Sequence, residues 1–403
     1  MHPDQTGPGF KEFVILMALL TSLVAMTIDS MLPALSQIAR ELGAEQNEQQ
    51  FVVSSFLLAF GVAQMFFGPL SDAIGRRPVI FIGISIYVVG SVFCVFAASF
   101  DEMLIGRAMQ GVGVAGPRVA TMALVRDKFE GDAMARVMSL IMMIFILVPV
   151  FAPAIGQGIM FIADWRAIFS VLIGMAVIAF AWLALRQPET LPLDRRRPFS
   201  AVRIGGAVLE IFKTRASIGY IFMSGLIFSA FVGYLSSSQQ IFQEVYGLGE
   251  LFPLYFGILA LALGAASYMN SKLVMRFGMR RLCRTSLISV SCLSIIFIIA
   301  AYAMDGRPPL ILFMAYMLPA FFCFGVLFGN FVALAMEPLG HIAGVGASAV
   351  GSISSLISVP LGATIGQQFN GTVLPLLAGF TFFSLAAFFL MQWVEYKKSG
   401  ISE

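Results

Sequence analysis

Apolar runs of about 20 residues or more recur along the whole chain, separated by short polar turns. They fall at roughly 13–34, 50–70, 78–98, 102–125, 134–160 and 165–186. After a polar stretch they resume at roughly 216–242, 251–271, 283–303, 309–336, 343–367 and 372–395. A helix needs about 20 apolar residues to cross the hydrocarbon core of a bilayer. The pattern therefore predicts an all-α polytopic membrane protein whose twelve transmembrane helices form two six-helix bundles. Residues 1–187 and 215–403 are the expected bundles, and 188–214 is the expected linker.

Composition agrees with that reading. Of 403 residues, 59% are hydrophobic and 12% charged, against about 45–50% and about 25% in soluble domains. Such a chain cannot cover a water-facing surface with polar groups. The net charge of +3 is carried in short loops between apolar runs, which excludes the concentrated basic face of a nucleic-acid binder. Cys94, Cys283, Cys292 and Cys323 lie in or beside apolar runs without a pairing pattern, so they read as small hydrophobes. The first run lacks a small-residue cleavage site and is too long for the core of a signal peptide.

Charge predicts the orientation. With both termini cytoplasmic, that side holds Lys11, Arg76, Arg77, Arg126, Lys128, Arg136, seven basic residues from Arg186 to Arg215, five from Lys272 to Arg284, and Lys397 with Lys398. The other side holds Arg40, Arg166 and Arg307. Basic residues favour the cytoplasmic face, so the asymmetry places both termini there. Within the linker, Phe199 to Phe212 reads either as a short amphipathic helix on the membrane surface or as a flexible basic tether.

The two halves echo each other. Gly68-Pro69-Leu70-Ser71-Asp72-Ala73-Ile74-Gly75-Arg76-Arg77-Pro78 follows the second run, and Ser271 to Arg281, with Gly278 before its own basic cluster, follows the eighth. Internal repeats of this kind mark transporters that handle substrate near the bilayer midplane.

These residues also carry a family resemblance. Gly68-x-Leu70-x-Asp72-x-x-Gly75-Arg76-Arg77 resembles the loop motif of the major facilitator superfamily, and Arg107-Ala108-Met109-Gln110-Gly111-Val112-Gly113 resembles its fourth-span motif. Asp29 to Leu35, Ala123 to Asp127, Ala152 to Gly156, Glu337 to Gly340 and Ala343-Gly344 resemble the Bcr/CflA branch of bacterial drug-efflux proteins. The resemblance implies a proton-coupled antiporter of the bacterial inner membrane, exporting lipophilic or amphiphilic antibiotics by alternating access. It implies no cofactor beyond the proton motive force. In the family the loop of Gly68, Asp72, Gly75, Arg76 and Arg77 is a conformational latch; here Asp72 is expected to cap or pair near a helix end, with Arg76 and Arg77 at the membrane surface. The fifth span departs from the antiporter pattern, which usually carries Gly-Pro and more glycine: Pro149 and Ala152-Pro153 stand in, so that stretch alone does not establish antiport, while Pro149, Pro153 and Gly156 permit bending and close packing and read as a hinge.

Of the 22 acidic residues only Asp29 falls deep in a span. Charges there are costly and usually face a bundle interior. Asp29 is expected about 7 Å from the end of its span at 1.5 Å per residue, with Arg107 at a similar depth in the fourth span. The two are expected to meet, either as a proton-coupling or substrate-binding acid modulated by Arg107, or as a static ion pair. Arg118 lies eleven residues after Arg107, about 20° off the same helical face, and either lines the same cavity wall or snorkels. Tyr234, Ser237, Gln239, Gln240 and Asn330 are further cavity candidates, each equally able to serve as a helix contact. Gly362-x-x-x-Gly366 is expected to pack within a monomer.

An intramembrane enzyme is disfavoured: the only histidines, His2 and His341, lie outside the runs, and no acid/base pair or nucleophile elbow is present. A channel lacks a ring of pore charges. The expected partners are protons, a small drug-like molecule and the lipid bilayer, with no nucleic acid. A proton-coupled metabolite transporter is the alternative within the same architecture.

Overall fold

A computed structural model describes residues 7–45 and 47–396; His2, Lys397 and Lys398 lie outside them. The described residues form fourteen α-helices and no strand. In the first half these are α1 (Phe10–Asp29), α2 (Leu35–Glu41), α3 (Phe51–Ile74), α4 (Arg76–Phe96), α5 (Phe100–Lys128), α6 (Gly131–Met160) and α7 (Arg166–Arg186). They continue as α8 (Ala201–Lys213), α9 (Arg215–Gln240), α10 (Phe252–Phe277), α11 (Met279–Tyr302), α12 (Leu310–Met336), α13 (Ala343–Gln367) and α14 (Leu374–Tyr396). Every apolar run became one long helix. Eleven are long and apolar enough on their own to span a membrane. The twelfth, α5, has 29 residues, about 43 Å at 1.5 Å each. Its length suffices, and Arg107 and Arg118 dilute its hydropathy.

The chain divides into two compact units, Met1–Ala44 with Ser55–Ile204, and Glu45–Ser54 with Gly205–Glu403. In the first unit α4 packs on α5 and α7, and α1 on α6; in the second α9 packs on α13 and α14, and α11 on α12 and α14. Glycine sets the α4–α5 approach. A Cβ on Gly113 would lie 2.4 Å from the Tyr87 backbone nitrogen, and one on Gly83 2.6 Å from the Gly113 carbonyl. With no large hydrophobic drive between helices in lipid, such close backbone approach supplies much of the packing energy.

Two local departures from expectation have physical causes. The first span was expected to run to residue 34, but α1 ends at Asp29. Pro33 has no N–H to give the Asp29 carbonyl, so the chain turns there before a 3-10 turn at Leu32–Ala34 and α2. Residues 68–74 are helical, leaving Gly75 as the sole break between α3 and α4. Gly75 has φ +109°, and its counterpart Gly278, between α10 and α11, has φ +75°; side chains disfavour that region. The repeat seen in sequence is thus the same one-residue break in both halves. In the linker, residues 201–213 form a helix, as the amphipathic reading anticipated.

Candidate functional site

Arg107 is the centre of a buried polar network in the first unit. Its side chain is fully buried, 4.7 Å from the Phe56 ring centroid. The guanidinium donates to the Thr27 carbonyl (3.2 Å) and to Gln110 Oε1 (2.8 Å). Gln110 Nε2 donates in turn to Ser91 Oγ (2.7 Å), and Ser91 Oγ to the Tyr87 carbonyl (2.8 Å). The Thr27 and Tyr87 hydroxyls lie 2.7 Å apart. Thr27 has one hydroxyl hydrogen, directed at the Leu23 carbonyl (2.6 Å), so Tyr87 is the donor to Thr27. α1, α4 and α5 are thereby tied together by polar groups that are costly to bury singly.

Asp29 sits two residues beyond Thr27, at the last position of α1, and is buried. Among the described residues it has neither an ion pair nor a hydrogen-bond partner. The expected Asp29–Arg107 pair does not form. Arg107 reaches α1 at the Thr27 carbonyl instead, holding the turn that carries Asp29 without touching its carboxyl group. Beyond Asp29 the packing is tight: a Cβ on Gly156 of α6 would lie 1.7 Å from the Ser30 carbonyl oxygen. Of the three fifth-span residues, Gly156 therefore meets the Asp29 turn, and Pro149 and Pro153 lie within an unbroken α6. Arg118 is half-buried on α5, with its guanidinium 5.9 Å from the Phe145 ring centroid.

The residues expected to form the latch make a second polar cluster in this unit. Arg76 is buried and pairs with Asp72 and with Asp127, the latter at 2.9 Å. Arg77 donates to the Ala184 carbonyl and lies over Phe81. Glu189 caps α4, accepting from the Arg76 and Arg77 backbone N–H groups at 3.0 Å each. A Cβ on Gly75 would lie 2.5 Å from that carboxylate, and Gly68 lies one turn before Asp72 on α3. Carboxylates at a helix N-terminus satisfy its free donors and oppose its dipole. Removing this one in Glu189→Ala is expected to cost about 1–2 kcal/mol, read as a lowered thermal midpoint of the purified protein; an unchanged midpoint would show that the cap contributes nothing.

In the second unit the cavity candidates are engaged. Tyr234 is buried, its ring centroid 4.7 Å from Phe321 and 5.6 Å from Phe256. Ser237 Oγ donates to the Gly233 carbonyl (2.7 Å), and Gln239 donates to Gln243. Gln240 Oε1 accepts from Gln50 Nε2 (2.9 Å), which also donates to the Gly366 carbonyl (2.6 Å). Asn330 and Asn270 exchange reciprocal amide bonds of 2.9 and 3.1 Å between α12 and α10. Gly362 and Gly366 both pack within the chain, against Val232 and Gln50.

Sequence reasoning missed Tyr87, Ser91, Gln110, Glu189 and Gln50. The Arg107-x-x-Gln110 spacing, one helical turn, was the readable signal for one of them.

A family model described as Major Facilitator Superfamily matches residues 17–363. The chain is 27% identical over 367 residues to a protein of Haemophilus influenzae named bicyclomycin resistance protein homolog, covering 91% of each. It is 28% identical over 343 residues to a multidrug resistance protein of Klebsiella pneumoniae, covering 84% of each. Among solved structures, a xylose transporter from E. coli superposes with TM-score 0.76 over 95% of this chain and 97% of that one, at 14% identity; this likeness is one of fold.

Proposed function

The chain belongs to the Major Facilitator Superfamily, and we propose that it is a drug exporter driven by protons through Asp29. It is a multi-pass membrane protein, and its relatives agree with the drug-resistance branch that its motifs resemble. The observation that carries the proposal is the buried Asp29 carboxyl group at the end of α1, without a hydrogen-bond or ion-pair partner among the described residues. An ionised carboxylate in such a place is costly unless something compensates it. A proton compensates it in one state, and solvent or a cationic substrate in another. Export would then be exchange: a proton taken up at Asp29 displaces drug, and its release resets the carrier. Moving one charge through 100 mV supplies about 2.3 kcal/mol, roughly a 50-fold gradient. The protein works as a monomeric carrier of the bacterial inner membrane with both termini cytoplasmic, and it catalyses no chemical reaction. It needs no cofactor, only the proton motive force, with the Asp72–Arg76–Asp127 cluster as the latch between states.

The test is susceptibility of an efflux-deficient bacterium expressing the protein, compared with empty vector, across a broad antibiotic panel. Resistance to lipophilic or amphiphilic compounds is expected. No resistance to any compound would move the assignment to a proton-coupled metabolite transporter.

A further inference from the structure

We propose that the outer face of α10–α12 holds an anionic phospholipid, its acyl chain in a side groove and its headgroup on the basic turn between α10 and α11. The groove has a volume of about 460 Å³ and is lined by Leu273 of α10, Thr285, Ser289 and Leu293 of α11, and Pro319 and Phe322 of α12. Thr285, Ser289 and Pro319 are exposed, so the groove opens sideways to the bilayer. Pro319 lies inside α12 and removes a backbone hydrogen bond there, which lets α12 bend beside the groove. Thr285 Oγ1 is directed at the carbonyls of Arg281 and Leu282 (3.0 Å each). The groove wall is therefore apolar in effect, which suits a hydrocarbon chain.

Charge at one end of the groove identifies the occupant. Leu273 lies one residue from Lys272 and three from Arg276, and Thr285 one turn after Arg281 and next to Arg284. All four basic residues are exposed. Arg276 and Arg281 flank the Phe277 ring at 5.2 and 5.9 Å. The neighbouring Arg280 is used by Glu337 at 2.6 Å, but Lys272, Arg276, Arg281 and Arg284 have no ion pair among the described residues. The sequence contains no acidic residue between Glu250 and Asp305. The corresponding turn of the first unit is the opposite case, because Arg76 there is neutralised by Asp72 and Asp127. Four exposed cations without an ion pair among the described residues lie within one helical turn of groove-lining residues, which matches a phosphate on an acyl chain, and basic pockets between membrane helices recognise anionic headgroups in this way.

The experiment uses the purified full-length protein and native mass spectrometry, titrating phosphatidylglycerol against phosphatidylcholine of identical chains. Wild type is expected to retain phosphatidylglycerol preferentially. Arg281→Ser and Arg284→Ser are each expected to lower its affinity about fivefold. As a measurement independent of any variant's folding, phosphatidylglycerol with a photoreactive group on its acyl chain is expected to label wild-type peptides containing Thr285 to Leu293 and Pro319 to Val326. Equal retention of the two lipids, or label spread evenly over the exposed helices, overturns the proposal. So does equally tight binding of glycerol phosphate, which has the charge and no chain.

Discussion

Asp29→Asn is expected to abolish proton-driven drug accumulation while leaving the protein folded. Asn has nearly the same volume and cannot carry the charge change, so the substitution removes one property alone. The α1 turn keeps its anchors: Arg107 still donates to the Thr27 carbonyl and Tyr87 to the Thr27 hydroxyl. Asp29 itself contributes no hydrogen bond or ion pair among the described residues, so stability should change by less than about 1 kcal/mol, within the usual range for a site without partners. In inside-out vesicles energised to 100 mV, wild type should build a gradient of up to about 50-fold per charge moved. The variant should equilibrate drug without concentrating it, and addition of drug should no longer release protons. A variant that folds and still concentrates drug would remove Asp29 from the coupling mechanism. The result also separates Asp29 from Arg107, whose contacts are consistent with a positioning role and do not include the carboxyl group.

The helices were legible because the signal that makes them, sustained apolar length, is written in consecutive residues. Each apolar run became a long helix with ends shifted by a few residues. Larger errors arose where a single atom decides the outcome. α1 stops at Asp29 because Pro33 lacks one N–H, and a polar stretch that reads as loop, Gly68 to Ile74, is helical because only Gly75 takes a left-handed conformation. Asp29 and Arg107 stood out as rare charges in apolar runs. Their relation did not, since it depends on the register of α1, α4 and α5, which no single segment encodes. Gln110 and the Thr27 carbonyl took the contacts that a two-charge reading gave to Asp29. Glu189 was hidden in a linker whose prolines and arginines drew attention, and Gln50 at the polar start of a span, where a side chain is ordinarily solvated.

Gly156→Ala is expected to damage the protein more than any other single methyl group added to α6. The new Cβ would lie 1.7 Å from the Ser30 carbonyl oxygen, 2.7 Å from its carbon and 3.2 Å from Cα. All three are backbone atoms of the turn that follows Asp29, so no rotamer change can relieve the clash. α6 must retreat from α1, or the Asp29 turn must move. Overpacking a core costs about 1–3 kcal/mol when side chains can adjust, and a backbone contact should reach the upper end of that range or exceed it. Gly158 supplies the control two residues along the same helix, because a Cβ there meets nothing within 4 Å. Alanine at 158 removes glycine's conformational freedom without a clash and should be neutral or stabilising by up to about 1 kcal/mol. Thermal unfolding of the purified proteins should therefore place the two variants on opposite sides of wild type, or leave Gly158→Ala level with it. Drug efflux should fall with Gly156→Ala alone, since the displaced turn carries Asp29, the carboxyl group proposed to bind the proton. If the two alanine variants melt together and transport alike, α6 does not touch the Ser30 backbone, and the close packing that positions Asp29 must be sought elsewhere.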